Sequence, residues 1–171
     1  MNIVIIGFAS CGKSITATAI CGLTDMRHVD LDRVVEERYG KRTGARLSVR
    51  QIFGEIGAGG FTALENDALK SLSEMRDSVL STGGRTPMDA ANRACLKSIG
   101  RIVYLRCGVD TVMERMNKKG TPLTMGSAPE DIKKEFEKRD PIYAALADIT
   151  VDNEYLTPDK VAAEILKRIS L

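Results

Sequence analysis

Three features of the 171-residue sequence predict an α/β fold with three layers: helices, a five-stranded parallel sheet, and helices again. Short apolar runs alternate with stretches at helical spacing nearly throughout, as in strand–helix–strand units paired in parallel. The first run, Ile3-Val4-Ile5-Ile6, has the length and β-branching of a buried strand. It passes directly into Gly7-Phe8-Ala9-Ser10-Cys11-Gly12-Lys13-Ser14, which fits G-x-x-x-x-G-K-[ST] between a strand and a helix.

The elements follow in order. Gly7 ends the first strand, and residues 14–21 favour helix. Residues 26–31 read as a second strand that finishes in Asp30-Leu31-Asp32, and 33–39 as a helix. Gly40 and Gly44 bracket the basic stretch 41–46, which reads as a loop. Ser48 is an N-cap for a short helix through Phe53. Gly54, Gly57, Gly59 and Gly60 then mark a turn-rich, mobile connection. Phe61, Leu64, Ala68, Leu69 and Leu72 keep helical spacing within a helix over 61–76. A third strand over 78–82 stops at Gly83-Gly84. A helix over 89–98 is closed by Gly100, a fourth strand spans 101–106, and a helix spans 109–118. Residues 120–126 read as a loop. A helix over 129–147 is expected to be interrupted near Asp140-Pro141. A fifth strand spans 148–151, and Pro158 opens the last helix. With neither repeat nor linker, the chain reads as one domain, 1–171.

Composition narrows the function classes. Hydrophobic residues make up 43% and charged residues 28%, ordinary for a globular domain. A net charge of +2 gives no reason to expect a nucleic-acid binder. No apolar stretch reaches the ~18 residues of a membrane span. With a strand starting at residue 2 or 3, no signal peptide is expected, and the cytoplasm is the expected compartment. The four cysteines, Cys11, Cys21, Cys95 and Cys107, lack metal-type spacing. They read as small buried thiols, with Cys11 exposed in the loop as the exception. The single His28 reads as structural.

The chemistry starts in the glycine loop. Its backbone N–H groups curl around phosphate oxygens, and the helix start adds its positive dipole end. Ser10, Cys11, Gly12, Lys13, Ser14 and Ile15 form that nucleotide-binding segment. Lys13 reaches the β- and γ-phosphates as a mobile point charge. The Ser14 hydroxyl is a hard oxygen ligand suited to Mg²⁺. Asp30 and Asp32 flank one residue at a strand end, so on an extended chain both carboxylates point the same way. Phosphoryl transfer needs one acid near the metal and one to orient or deprotonate the attacking hydroxyl. Helix capping alone is the plainer explanation of either aspartate. The strand ends at 7–14, 30–32 and 83–84 converge on one rim of such a sheet.

These residues, with Ile52-Phe53, Phe61, Glu65, Leu80-Ser81-x-Gly83-Gly84, Val103-Tyr104-Leu105, Pro122-Leu123, Arg139-x-Pro141-x-Tyr143 and Val151-Asp152, resemble the shikimate kinases. That family lies among the nucleoside-monophosphate-kinase-like P-loop proteins. The resemblance runs nearly end to end. It implies transfer of the γ-phosphoryl of ATP to the 3-hydroxyl of shikimate with Mg²⁺, in a protein that is commonly monomeric. It implies catalytic roles for Lys13, Asp30 and Asp32, with Ser14 and Asp30 on the metal side and Asp32 on the acceptor. Gly83 and Gly84 line the acceptor pocket, with position 62 and Arg85 beside it, and Arg139 clamps the acceptor carboxylate. Asn153 and Glu154 lie near the adenine loop, and Arg115 and Thr121 belong to the ATP side. The acceptor-binding subregion is about 33–62 and the lid about 112–127.

The chain also departs from the family pattern. Thr62 stands where an arginine follows the phenylalanine, Arg85 where a third glycine is usual, and Thr121 where the lid has arginine before Pro-Leu. Ser10 replaces a glycine, Ile15 replaces a threonine, and the stretch 41–46 is longer. Arg85, Arg42, Arg46 and Arg50 are candidate replacements at the acceptor. Arg115, Lys118 and Lys119 are candidates at the lid. Two other readings stay open: a same-fold kinase for another small hydroxy acid or polyol, and a non-catalytic nucleotide-binding relative.

Overall fold

The computed structural model describes residues 1–118, 128–154 and 156–169. Strands β1 (Asn2–Ile6), β2 (Arg27–Asp30), β3 (Ser78–Ser81), β4 (Arg101–Arg106) and β5 (Ile149–Asp152) form one parallel sheet in the order β2-β3-β1-β4-β5. The register sets Ile3 opposite Val79 on one side and Arg101 on the other. Thus β1 lies at the centre, and Ile3, Val4, Ile5 and Ile6 are fully buried. A strand covered on both faces needs side chains that are apolar throughout, which is what this run supplies.

Among the described residues seven α-helices cover the sheet: α1 (Lys13–Leu23), α2 (Leu31–Thr43), α3 (Val49–Lys70), α4 (Ala90–Ile99), α5 (Val109–Lys118), α6 (Pro129–Leu146) and α7 (Pro158–Ile169). The strand order reverses direction between β1 and β3 on one side and β4 on the other. The loop after β1 therefore opens at the crevice where parallel sheets take ligands.

Several local expectations are corrected. The helix after β2 starts at Leu31 and runs to Thr43, so Gly40, Lys41 and Arg42 are helical and Gly44 closes it with φ 78°. The glycine-rich stretch 54–60 is no loose connection. Residues 49–70 are helical throughout except at Gly57, whose φ of 68° and ψ of 179° kink the chain. Ser48 starts this helix with a reciprocal capping box to Gln51. The Phe53 and Phe61 rings, 5.6 Å apart, pack across the kink. Buried Ile52, Leu64, Ala68 and Leu69 hold both halves against the core. That burial outweighs the roughly 1 kcal/mol per glycine that helix propensity charges against it.

Nor does Pro141 interrupt the next long helix, since α6 continues through it to Leu146. The neighbours of Pro141 are anchored. Tyr104 donates to Asp140 at 2.6 Å, and Arg139 and Tyr143 are buried on either side. These contacts offset the ~3 kcal/mol that an internal proline costs.

Candidate active site

The loop from Gly7 to Gly12 has left-handed backbone at three positions: Gly7 (φ 146°), Ser10 (φ 59°) and Gly12 (φ 103°). Side chains are excluded at two of them. A Cβ on Gly7 would sit 2.6 Å from the Leu105 carbonyl, and one on Gly12 would sit 2.9 Å from the Asn153 amide nitrogen. Such turns direct successive N–H groups inward, and α1 begins immediately afterwards at Lys13. Cys11 is fully buried, contrary to the exposed position expected of it. The curl of the loop carries its side chain inward beside Gly7. Ile15 instead is well exposed at the mouth of α1.

Lys13 is buried, and its Nζ donates to the Gly7 carbonyl at 2.9 Å and the Phe8 carbonyl at 2.8 Å. The ammonium therefore lies folded along the inside of the loop. Ser14 Oγ donates to Asp30 Oδ2 at 3.3 Å, joining the two residues expected to share a metal. Asp30 Oδ1 accepts the backbone N–H of Asp32 at 3.0 Å and so caps α2.

Asp32 thus lies in the first turn of α2, not on an extended chain. Strand alternation therefore does not set the direction of its carboxylate relative to that of Asp30. The helix turn nevertheless brings Asp32 to the acceptor side, with Oδ1 3.3 Å from the position of a Cβ on Gly83. Burial raises the pKa of Asp32, the Asp30 charge adds to this, and the Lys13 ammonium opposes it. A carboxylate so placed is a stronger base than one in water.

Around Gly83 lie two groups that the residue patterns did not assign. Glu65 of α3 is buried at 5% exposure, and Thr86 donates to its Oε1 at 2.7 Å. Glu65 Oε1 also lies 3.5 Å from the position of a Cβ on Gly83. Burial pushes the Glu65 carboxyl up to about 7, with Asp32 and Asp89 adding to the shift and Thr86 and Arg85 opposing it. Thr62, one turn earlier on α3, is half-buried. With a pKa lifted to about 7, Glu65 is a carboxylic acid below neutrality and ionises around it. The only prior signal for this group was the sequence position of Glu65, four residues after Phe61. The Thr86 contact spans 21 residues and has no local signature.

The second glycine, Gly84, packs against the nucleotide loop: a Cβ on it would lie 3.1 Å from Ala9 N. Its carbonyl accepts from Tyr143 Oη at 2.5 Å. Arg139 is buried, ion-paired with Glu135, and its guanidinium lies 5.1 Å from the centroid of the Phe8 ring. Arg85 is exposed at the edge of this group, close enough to bias the titration of Glu65, Glu135 and Tyr143. Arg42, Arg46 and Arg50 are also exposed but bear on none of those three groups.

On the opposite side of the loop, the Cys11 carbonyl accepts from Asn153 Nδ2 at 2.6 Å and Arg115 Nη1 at 3.2 Å. Arg115 Nη2 also donates to the Asn153 carbonyl at 3.0 Å. Cys11, Arg115 and Asn153, three of the residues expected on the ATP side, therefore form one corner joining α5, the loop and the end of β5. Thr121 and Lys119 lie outside the described residues. Lys118 is paired with Glu114 on its own helix at 2.6 Å, an exposed ion pair. Glu154 accepts from Thr111 at 2.9 Å. His28 bonds Ser81 at 2.9 Å, in keeping with its structural reading.

Comparison with known proteins finds similarity over nearly the whole chain. The family model described as "Shikimate kinase" matches residues 9–170. The shikimate kinase of Thermodesulfovibrio yellowstonii is 34% identical over 168 residues, covering 97% of this chain and 93% of the relative. The structure of the Acinetobacter baumannii shikimate kinase in complex with shikimate is similar at 30% identity. Its TM-score is 0.86, with 99% of this chain and 92% of that chain covered. The Aquifex aeolicus shikimate kinase structure matches at 34% identity and a TM-score of 0.79, covering 99% and 96%.

Proposed function

The chain belongs to the shikimate kinase family, and we propose that it transfers the γ-phosphoryl of ATP to the 3-hydroxyl of shikimate through the residues gathered around Gly7–Ser14. It is a small-molecule kinase with an α/β P-loop fold of the nucleoside-monophosphate-kinase type. The observation that carries the reading is the run of contacts from Lys13 on the loop carbonyls, through Ser14–Asp30 and Asp30–Asp32, to Asp32 beside Gly83 just after β3.

In this assignment the loop N–H groups and the α1 N-terminus hold the β- and γ-phosphates. Lys13 exchanges its two carbonyl partners for phosphate oxygens and follows the charge as it develops. Ser14 and Asp30 offer two hard oxygens 3.3 Å apart, a donor set that fits Mg²⁺ with most of its waters retained. When bound there, the ion neutralises phosphate charge and orients the terminal group. Asp32 accepts the proton of the attacking hydroxyl, helped by its raised pKa.

On the acceptor side, Arg139 and Arg85 hold the carboxylate, and Gly83 and Gly84 leave room for the ring. Thr62 and the subregion 33–62 complete this side, and the lid assigned to 112–127 falls largely outside the described residues. Arg85 stands ahead of Arg42, Arg46 and Arg50 because, of the four, it bears on Glu65, Glu135 and Tyr143. Arg115, Asn153 and the loop residues Ser10 to Ile15 hold the nucleotide. A monomeric, cytoplasmic enzyme is part of the same proposal.

Phosphorus NMR of the product tests it. The enzyme with ATP, Mg²⁺ and shikimate yields a phosphate monoester coupled to the C3 proton. ADP and inorganic phosphate as the only new species, with no phosphate monoester, would overturn the proposal.

A further inference from the structure

Phe8, the second residue of the glycine loop, lies where the nucleotide and acceptor sides meet. Its backbone carbonyl accepts from Lys13 Nζ at 2.8 Å and from Cys11 N at 3.4 Å, so the phosphate side fixes its main chain. A Cβ on Gly84 would lie 3.5 Å from the Phe8 carbonyl carbon, so the acceptor glycine packs directly on this peptide. Its ring is buried at 6% exposure and braced by Phe136 of α6, centroids 5.4 Å apart. The Arg139 guanidinium lies over that ring at 5.1 Å.

We propose that Phe8 is a positioning residue for the acceptor, its ring face setting the Arg139 guanidinium where a substrate carboxylate meets it. This rests on the assignment of Arg139 to the acceptor carboxylate made above. The physical reason is the shape of the two groups. A guanidinium is planar, weakly hydrated and attracted to the negative face of an aromatic ring. Arg139 is almost fully buried, so its orientation is set by what it touches. Glu135 holds one edge of the fork through an ion pair, and in this proposal the Phe8 ring beneath the guanidinium at 5.1 Å sets its plane. A bidentate grip on a carboxylate depends on that plane. The residue that completes the phosphate loop thereby also orients the group that recognises the other substrate.

Two variants and a double variant test this. Phe8→Leu removes the ring face. A fluorinated phenylalanine installed at position 8 keeps the ring's shape while withdrawing charge from its face, so packing is retained. Both are expected to raise the KM for shikimate about fivefold, with the KM for ATP moving less than about twofold. Phe8→Leu added to Arg139→Ala should raise the acceptor KM no further than Arg139→Ala alone. Fluorination that leaves the shikimate KM unchanged would overturn the proposal, as would a parallel rise in both KM values. If Arg139→Ala itself leaves the shikimate KM unchanged, the assignment of Arg139 fails, a result distinct from failure of the Phe8 role.

Discussion

Glu65 offers the most quantitative test of the site. Its carboxyl is buried behind Gly83, near Asp32 and Asp89, with Thr86 and Arg85 as its favourable neighbours. Folding lifts its pKa from the ordinary 4.5 to about 7. Between those values the folded chain retains a proton that the unfolded chain has lost, so stability falls as pH rises through this window and is level above it. At 1.36 kcal/mol per pKa unit, the loss between pH 4.5 and pH 8 is about 3 kcal/mol. Glu65→Gln keeps an oxygen for the Thr86 hydroxyl but carries no charge. Relative to the native chain it should therefore gain about 3 kcal/mol of stability between pH 4.5 and pH 8, or roughly 10 °C in Tm. Urea unfolding of both proteins at the two pH values measures this directly. The same ionisation places a second negative charge beside an anionic acceptor. The KM for shikimate should therefore rise as pH increases through 7 in the native chain and stay flat in the variant. An equal stability difference at both pH values would refute the reasoning, because it would mean that the carboxyl is not desolvated.

Four further outcomes follow from the geometry. Asp32→Asn removes the proposed base and should lower kcat by about 10²–10⁴-fold, while calorimetry finds ADP affinity nearly unchanged. Arg85→Ala should raise the shikimate KM by about tenfold or more through the loss of a charge-assisted contact, and Arg46→Ala should not. Thr62→Arg supplies a cation one turn from Glu65, so it should draw that carboxyl down and abolish the pH dependence of the shikimate KM, as read from pH–rate profiles. Gly7→Ala forces a Cβ to 2.6 Å from the Leu105 carbonyl at a left-handed φ, and should abolish ADP binding in calorimetry.

Much of this arrangement was legible in the residues because it is local. The strand–loop–helix at 2–23 has a contiguous signature, and Ser48 marks the start of its helix as an N-cap, although that helix runs past Phe53 to Lys70. Asp30 and Asp32 do lie together at the end of β2, but the helix begins between them. The capping bond from Asp32 N to Asp30, rather than strand alternation, sets their geometry. The glycines at 54–60 and Pro141 misled in the same manner: propensity is a local quantity, and burial of Ile52, Leu64, Arg139 and Tyr143 decided against it. The pairings Thr86–Glu65, Tyr143–Gly84 and Phe8–Arg139 join residues 21, 59 and 131 positions apart. Only the order of the strands brings such partners together, and no single segment encodes that order.

A coupled ADP-release assay with Mg²⁺, run in parallel on shikimate, gluconate and simple polyols, addresses the central claim most directly. Saturable turnover with shikimate, far above both the other alcohols and acceptor-free ATP hydrolysis, is the predicted result. Release of ADP at the same rate with and without shikimate, or turnover confined to a different alcohol, would contradict the account.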